Sequence, residues 1–215
     1  MVLKATYGLC QFALIFKVPV ITGTICTMAG FTVVSPGLPD FNVYDIRKPC
    51  VRMGLCYPDD HLWQLLNTYE YRDAMSIPAE EGFAWEECAT LPHLFLSFDH
   101  DKSWGFNLAP LLDAGMPVLI YNGDKDWICN WRGGQEWTNA LVWTGQQEFI
   151  KQNGKMKPWM AQSIHGAGGE IQKFENFTFM RVYEAGHMVP TDQPEIAHDM
   201  IYEFIEKKTL EPIML

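Results

Sequence analysis

Positive charge is scarce in this 215-residue chain. Sixteen Lys and Arg stand against 26 Asp and Glu, a formal net charge of −10. A nucleic-acid partner selects a basic stripe, so the balance argues against one. Zinc-module spacing is missing too. Of Cys10, Cys26, Cys50, Cys56, Cys88 and Cys129, the one close pair, Cys50 and Cys56, has only His61 as a nearby histidine. A short disulfide loop is the better reading of that pair, and it implies oxidising surroundings. There is no internal repeat and no low-complexity tract. Nor is there a clean run of the ~20 apolar residues a stable membrane helix needs. Ala5 to Val34 comes nearest, but Lys17, Pro19 and several threonines interrupt it. Finally, Ser35, Ser76, Ser97, Ser103 and Ser163 are all the serines, and none lies in a Gly-x-Ser-x-Gly turn.

What is there changes character along the chain. Ala5 to Val34 admits three readings: a signal peptide with small residues for cleavage from Gly23 to Gly30, a membrane segment, or a leader that belongs to no fold, left by a shortened transcript or a wrong gene model. Ser35 to Asp40 is rich in turn residues and sets residues 1–41 apart. Residues 42–115 read as helices and loops rich in aromatics. A helix is expected from His61 to Met75, started by Pro58-Asp59-Asp60, with Leu62, Leu65, Leu66 and Tyr69 on one face. Glu80, Glu81, Glu86 and Glu87 read as solvated charge rather than as a paired-carboxylate site.

Residues 116–215 read as α/β. Pro117 to Tyr121 is a continuous apolar run, expected to be a strand buried on both faces. A helix should follow around Gly134 to Trp143. Glu170 to Phe174 and Phe177 to Val182 suggest a hairpin-like pair. Asp192 is placed to cap a last helix with Pro194 in its first turn, and Ile196, Met200, Ile201, Phe204 and Ile205 form its apolar stripe. Asn176-Phe177-Thr178 is a glycosylation sequon, though it leads into an expected strand.

Two of these strands empty into glycine-marked turns. The first turn, Asn122-Gly123-Asp124-Lys125-Asp126, offers an acid; the second, Glu184-Ala185-Gly186-His187, offers a base. Ligands of open α/β sheets sit beyond the carboxyl ends of the strands, so the fold should unite the two turns. An acid followed by a histidine is the chain order of the Ser…Asp…His triad of α/β-hydrolases. Asp124 competes for the acid role. Asp126 is preferred because that fold commonly spaces the acid as Gly-x-x-Asp.

Longer motifs carry a closer resemblance. Asn42 to Cys50, Leu55-Cys56-Tyr57-Pro58, Gly123 to Trp131, Trp137-Thr138, Gly186 to Pro190 and Pro194-Glu195 resemble the carboxyl-terminal part of the serine carboxypeptidases, from about Asn42 to about Ile205. The resemblance implies an α/β-hydrolase core over residues 116–215, preceded by the end of a helical cap over 42–115. It implies Asp126 as triad acid, His187 as base, Cys129 as a free thiol beside the substrate pocket and Met188 as a leaving-group-side wall. Cys50–Cys56 matches a family disulfide, and Cys88 matches a cysteine whose partner lies in the missing amino-terminal half. That half holds the oxyanion-hole turn and the Gly-Glu-Ser-Tyr-Ala-Gly elbow, so the nucleophile is absent from these residues. The implied substrates are peptides or proteins, cut through an acyl-serine without metal or organic cofactor. The implied location is vacuolar, lysosomal or secreted. A second chain supplying the amino-terminal half is one possible partner; a binding module without activity is the alternative reading.

Overall fold

The computed structural model describes residues 40–50, 56, 60–78, 84–86, 89, 92, 104–152 and 155–212. Residues 1–39, with their three readings, and Cys88 lie outside the described residues, as do Glu80, Glu81 and Glu87. The chain divides into two compact units, Met1–Leu38 with Tyr57–Lys102, and Pro39–Cys56 with Ser103–Leu215. Residues 39–56 therefore group with the sheet-bearing unit and not with the helical region that follows them.

In the first unit, the single helix expected from His61 to Met75 is two: α1 (Asp60–Leu66) and α2 (Tyr69–Ala74). The break is local chemistry. The Thr68 hydroxyl donates to Leu65 O at 2.8 Å and accepts from Tyr71 N–H at 3.3 Å, so it ends one helix and caps the next. Asn67 exchanges hydrogen bonds with the backbone of Trp85. The expected apolar face is largely exposed: Leu62, Leu65 and Tyr69 all face solvent among the described residues.

The second unit begins with a small hairpin, β1 (Phe41–Asn42) and β2 (Asp45–Pro49), closed by the Cys50–Cys56 disulfide. Then come α3 (Gly105–Asp113), β3 (Val118–Gly123), α4 (Trp131–Ala140), α5 (Gln146–Lys151), β4 (Lys157–Ala161), β5 (Gly166–Phe174), β6 (Phe177–Val182), α6 (Val189–Asp192) and α7 (Pro194–Lys207). The sheet order is β3-β6-β5-β4. Strands β3 and β6 are parallel, in register from Val118↔Phe177 to Gly123↔Val182; β5 is antiparallel to both β6 and β4.

Alternation along the strands builds two cores. Leu119 and Tyr121 of β3, Ile171 of β5 and Met180 and Val182 of β6 face a cluster with Ile196, Ala197 and Met200 of α7. Val118, Ile120, Phe177 and Phe179 face the opposite cluster, with Ala109 and Leu112 of α3 and Phe149 of α5. The expected two-sided strand is thus real, although β3 is only half-buried because no described strand lies beyond it.

Three expectations move. The helix expected around Gly134 to Trp143 is α4, begun three residues earlier because the Asn130 side chain accepts from Gly133 N–H at 2.9 Å. The edge strand β4, which includes Pro158, has no counterpart in the sequence pattern. Asp192 does not cap α7; Gln193 holds that position, and Asp192 turns back to accept from Gly186 N–H at 2.7 Å. Of the α7 stripe, Ile196 and Met200 are buried and Phe204 partly so, whereas Ile201 and Ile205 are exposed.

Candidate active site

Parallel pairing of β3 with β6 puts both glycine-marked turns at the same end of the sheet. Asp124 N–H donates to Val182 O at 2.9 Å and Lys125 N–H to Ala185 O at 2.8 Å, stitching one turn to the other. Bare backbone is required where they touch. A Cβ on Gly123 would lie 2.2 Å from the Gly186 carbonyl oxygen, and one on Gly186 would lie 2.4 Å from the Tyr44 carbonyl oxygen.

The result joins Asp126 to His187. Asp126 Oδ2 lies 2.9 Å from His187 Nδ1, and Asp126 Oδ1 accepts from Cys129 N–H at 3.1 Å. The carboxylate is buried, with the residue 5 % exposed, while the imidazole is one-third exposed. One oxygen therefore fixes the turn and the other fixes the ring, leaving Nε2 to act. Asp124 is spent elsewhere: its carboxylate meets Lys125 at 3.3 Å and Arg181 at 3.4 Å. The Arg181 guanidinium also lies over the Trp131 ring, 4.4 Å from its centroid, which ties the start of α4 to β6 beside the site.

Cys129 carries an exposed free thiol one turn beyond Asp126. Partial burial of its sulfur pushes its pKa up, and the Asp126 charge adds to this. Met188 follows His187, exposed, at the start of α6. Among the described residues, Asp126, Cys129 and His187 are the set able to hold a metal ion, their ligand atoms lying within 4.8 Å of one another. Asn176 lies in the β5–β6 turn, away from these residues in the sheet. Its side-chain amide donates to Leu112 O at 3.0 Å and Met116 O at 2.7 Å, so a folded chain holds that nitrogen engaged.

Sequence reasoning missed how the β1–β2 segment serves the site. Val43 O accepts from Trp127 and Ile128 N–H, both at 3.1 Å, and Tyr44 O accepts from His187 N–H at 2.8 Å. The Tyr44 ring lies 5.0 Å from the imidazole. Beneath them, buried Asp45 pairs with Arg47 at 2.8 Å and Lys48 at 3.2 Å. These same cations reach Glu184 and Asp192, flanking His187 on both sides. The Arg47 guanidinium beside it holds the Asp45 carboxyl down at about 2, against the desolvation that opposes it. The signal in the sequence was the compact Asp45-Ile46-Arg47-Lys48 pattern, an acid followed closely by two cations.

The sequence model of the serine carboxypeptidase family matches residues 21–207. Carboxypeptidase Y of Candida albicans is 41 % identical over 167 residues, covering 76 % of this chain and 30 % of that protein. Carboxypeptidase Y of Saccharomyces cerevisiae is 38 % identical over 171 residues, with the same coverages of 76 % and 30 %. A vacuolar serine-type carboxypeptidase of the same yeast, ATG42, is 36 % identical and is covered to 32 %. The chain thus spans under a third of the length of these curated relatives. Among solved structures, that of Kex1(delta)p, a prohormone-processing carboxypeptidase from Saccharomyces cerevisiae, superposes with a TM-score of 0.65 at 21 % identity, covering 96 % of this chain and 47 % of that one. That likeness carries the fold: helices packed on both faces of a mixed sheet, in the α/β-hydrolase manner.

Proposed function

Because this chain belongs to the serine carboxypeptidase family, we propose that Asp126 and His187 are the acid and base of a serine-type carboxypeptidase whose nucleophile lies outside these 215 residues. The observation that carries the reading is the 2.9 Å contact between Asp126 Oδ2 and His187 Nδ1, 61 residues apart. In the complete site, His187 Nε2 takes the proton of the serine hydroxyl as it attacks the last peptide bond. Asp126 holds Nδ1–H and stabilises the imidazolium. The imidazolium then protonates the departing amino acid, and water resolves the acyl-serine by the reverse proton path. Tyr44, Cys129 and Met188 border this pair and supply pocket wall. The substrates are peptides or proteins, and the compartment is vacuolar or extracellular, in keeping with the Cys50–Cys56 disulfide and the vacuolar relative. No described helix is long and apolar enough to cross a membrane.

A second polypeptide carrying the family's amino-terminal half is one partner that would complete the site. The open side of β3 supports it. Val118 and Asp124 donate toward β6, so in a parallel pair Leu119, Tyr121 and Gly123 turn their N–H groups the other way. Beside that edge, α3 and α4 frame an apolar groove of about 600 Å³ lined by Trp104, Leu108, Leu111, Trp137 and Leu141.

Fluorophosphonate labelling tests the assignment. The purified 215-residue chain should neither label nor release carboxyl-terminal residues from a blocked dipeptide. Losing one triad member alone costs on the order of 10⁴ to 10⁶ in rate. Protein recovered from its native source with an antibody to this chain should label on a serine, and a His187→Ala copy should not. Labelling of Ser35, Ser76, Ser97, Ser103 or Ser163 in the isolated chain would overturn the reading, as would an unlabelled native product.

A further inference from the structure

We propose that Asp126, Cys129 and His187 also form a binding site for a borderline-soft divalent cation, zinc above all. Three different donors, a carboxylate oxygen, a thiol sulfur and an imidazole nitrogen, converge within 4.8 Å of one another. That mixture discriminates by itself. Magnesium and calcium avoid thiolate, and monovalent copper has little use for carboxylate, whereas zinc accepts all three donor types. A tetrahedral zinc at about 2.0–2.3 Å from each ligand holds its donors roughly 3.3–3.8 Å apart, so closing the site needs a movement of about 1 Å. Rotation of the exposed Cys129 side chain supplies it.

The surroundings are those of a cation site. Asp126 is buried and fixed through Oδ1 to the Cys129 N–H, so Oδ2 is aimed without further ordering. Neither nearby cation neutralises it: Lys125 is directed to Asp124 and Glu184, and Arg181 to Asp124 and Glu170. Among the described residues, the ionisable side chain paired with Asp126 is His187. Cys129 and the imidazole both reach solvent, which gives the ion its entry. On binding, zinc takes the place of the proton lying between Nδ1 and Oδ2. The imidazole keeps one proton, now on Nε2, and the thiol releases its own to solvent. Three protein ligands leave a fourth position for water. One consequence rests on the function proposed above: an imidazole held this way, with its Nε2 protonated, cannot accept a serine proton, so zinc would inhibit the completed enzyme.

Cobalt(II) titration of the 215-residue chain tests binding without any need for activity. One equivalent should produce the visible bands of a tetrahedral cobalt centre and a near-ultraviolet sulfur-to-cobalt band, and zinc should remove both. A Cys10→Ser/Cys26→Ser/Cys88→Ser variant should keep the signal. Cys129→Ser, a conservative change at an exposed position, should lose the sulfur band. It should also bind zinc far more weakly, by more than the ~10–100-fold that losing a mere outer-shell partner costs. His187→Ala should weaken binding likewise, while circular dichroism shows both variants folded. Absence of the sulfur band in the parent chain, its survival in Cys129→Ser or its loss in the triple variant would each overturn the proposal. Zinc bound as described but without inhibition of the native enzyme would instead fault the catalytic reading of His187.

Discussion

The sheet has two edges, and they are built differently. Strand β4 is short, carries Lys157 and Pro158, and has a register shift between Trp159 and Met160. Charge, proline and bulges are the means by which natural edges refuse further strands. Strand β3 has none of them: Val118-Leu119-Ile120-Tyr121 runs in unbroken register along β6. The helices differ in step. At the β4 edge, Trp159 and Ala161 are almost completely buried in the core they share with α7. On the β3 side, Trp104, Phe106, Leu111 and Trp137 are exposed. Among the described residues, one edge carries the features of a boundary and the other lacks them. The Asp126 turn grows from the edge that lacks them.

The first way to break this comparison is through its shared strand. Phe179 of β6 is fully buried in the core formed with α3 and α5. Phe179→Ala should cost about 3–5 kcal/mol, the usual range for emptying a buried aromatic site. Urea denaturation of parent and variant reads it. A loss under about 1 kcal/mol would mean that the enclosed middle of the sheet is as loose as its β3 flank, and the contrast would fall.

Next in size is the strap that crosses the site. Asp45 titrates at about 2 instead of its ordinary 3.8 because Arg47 and Lys48 bind its charged form. The shift corresponds to about 2 kcal/mol of stability. Since the folded value is the lower one, that stability is complete above pH 3.8 and drains away as pH falls toward 2. Asp45→Asn should therefore lose about 2 kcal/mol at neutral pH, with the deficit against the parent shrinking below pH 4. A deficit independent of pH down to 2 would show that the carboxylate's charge is not what binds β2 to the His187 turn.

Much of this was legible in the sequence where one residue type answers to one local requirement. Gly123 and Gly186 marked turns because nothing larger fits between two carbonyl-lined backbones, and the continuous apolar run Pro117 to Tyr121 betrayed a strand covered on both faces. Asp126 and His187 could be named because strand ends and chain order confine them. What stayed hidden was decided by competition among side chains. Asp192 has the composition of a helix cap, yet the Gly186 N–H and the Lys48 ammonium outbid the α7 backbone for it. Thr68 lies inside a helical pattern, but its hydroxyl closes a turn instead. The Val43 and Tyr44 carbonyls that brace the Asp126 and His187 turns are main-chain groups, which no residue identity reveals.

A smaller effect is expected at the turn that fastens the β5–β6 hairpin to α3. Asn176→Ala removes two hydrogen bonds to carbonyls at the end of α3 and just beyond it, one of them part-buried. Each is worth about 0.5–1.5 kcal/mol, so the loss should be about 1–2 kcal/mol. Asparagine carrying a glycan keeps a single amide hydrogen, so it would give up at least one of these bonds. If secreted, glycosylated chain proved less stable to urea than unglycosylated chain from a bacterial host by about 0.5–1.5 kcal/mol, the sequon would be in use at the cost of one such bond.

The smallest effect sharpens the comparison most, since it sets phenylalanine against phenylalanine. Phe106, on α3, is 65 % exposed and stacks on Trp104 at 5.9 Å, whereas Phe179 is wholly enclosed. Phe106→Ser should change the stability of the isolated chain by no more than about 0.5 kcal/mol, as for surface positions generally. Its consequence should instead appear between molecules. An apolar patch left beside an open strand edge drives association, so sedimentation should show less self-association in Phe106→Ser than in the parent at equal concentration. Should Phe106→Ser destabilise the chain as much as Phe179→Ala, the α3 flank must already be covered in solution and β3 would not be an edge awaiting a partner. Equal stability with unchanged association would place the sticky surface elsewhere, and the two edges would then differ in sequence without differing in consequence.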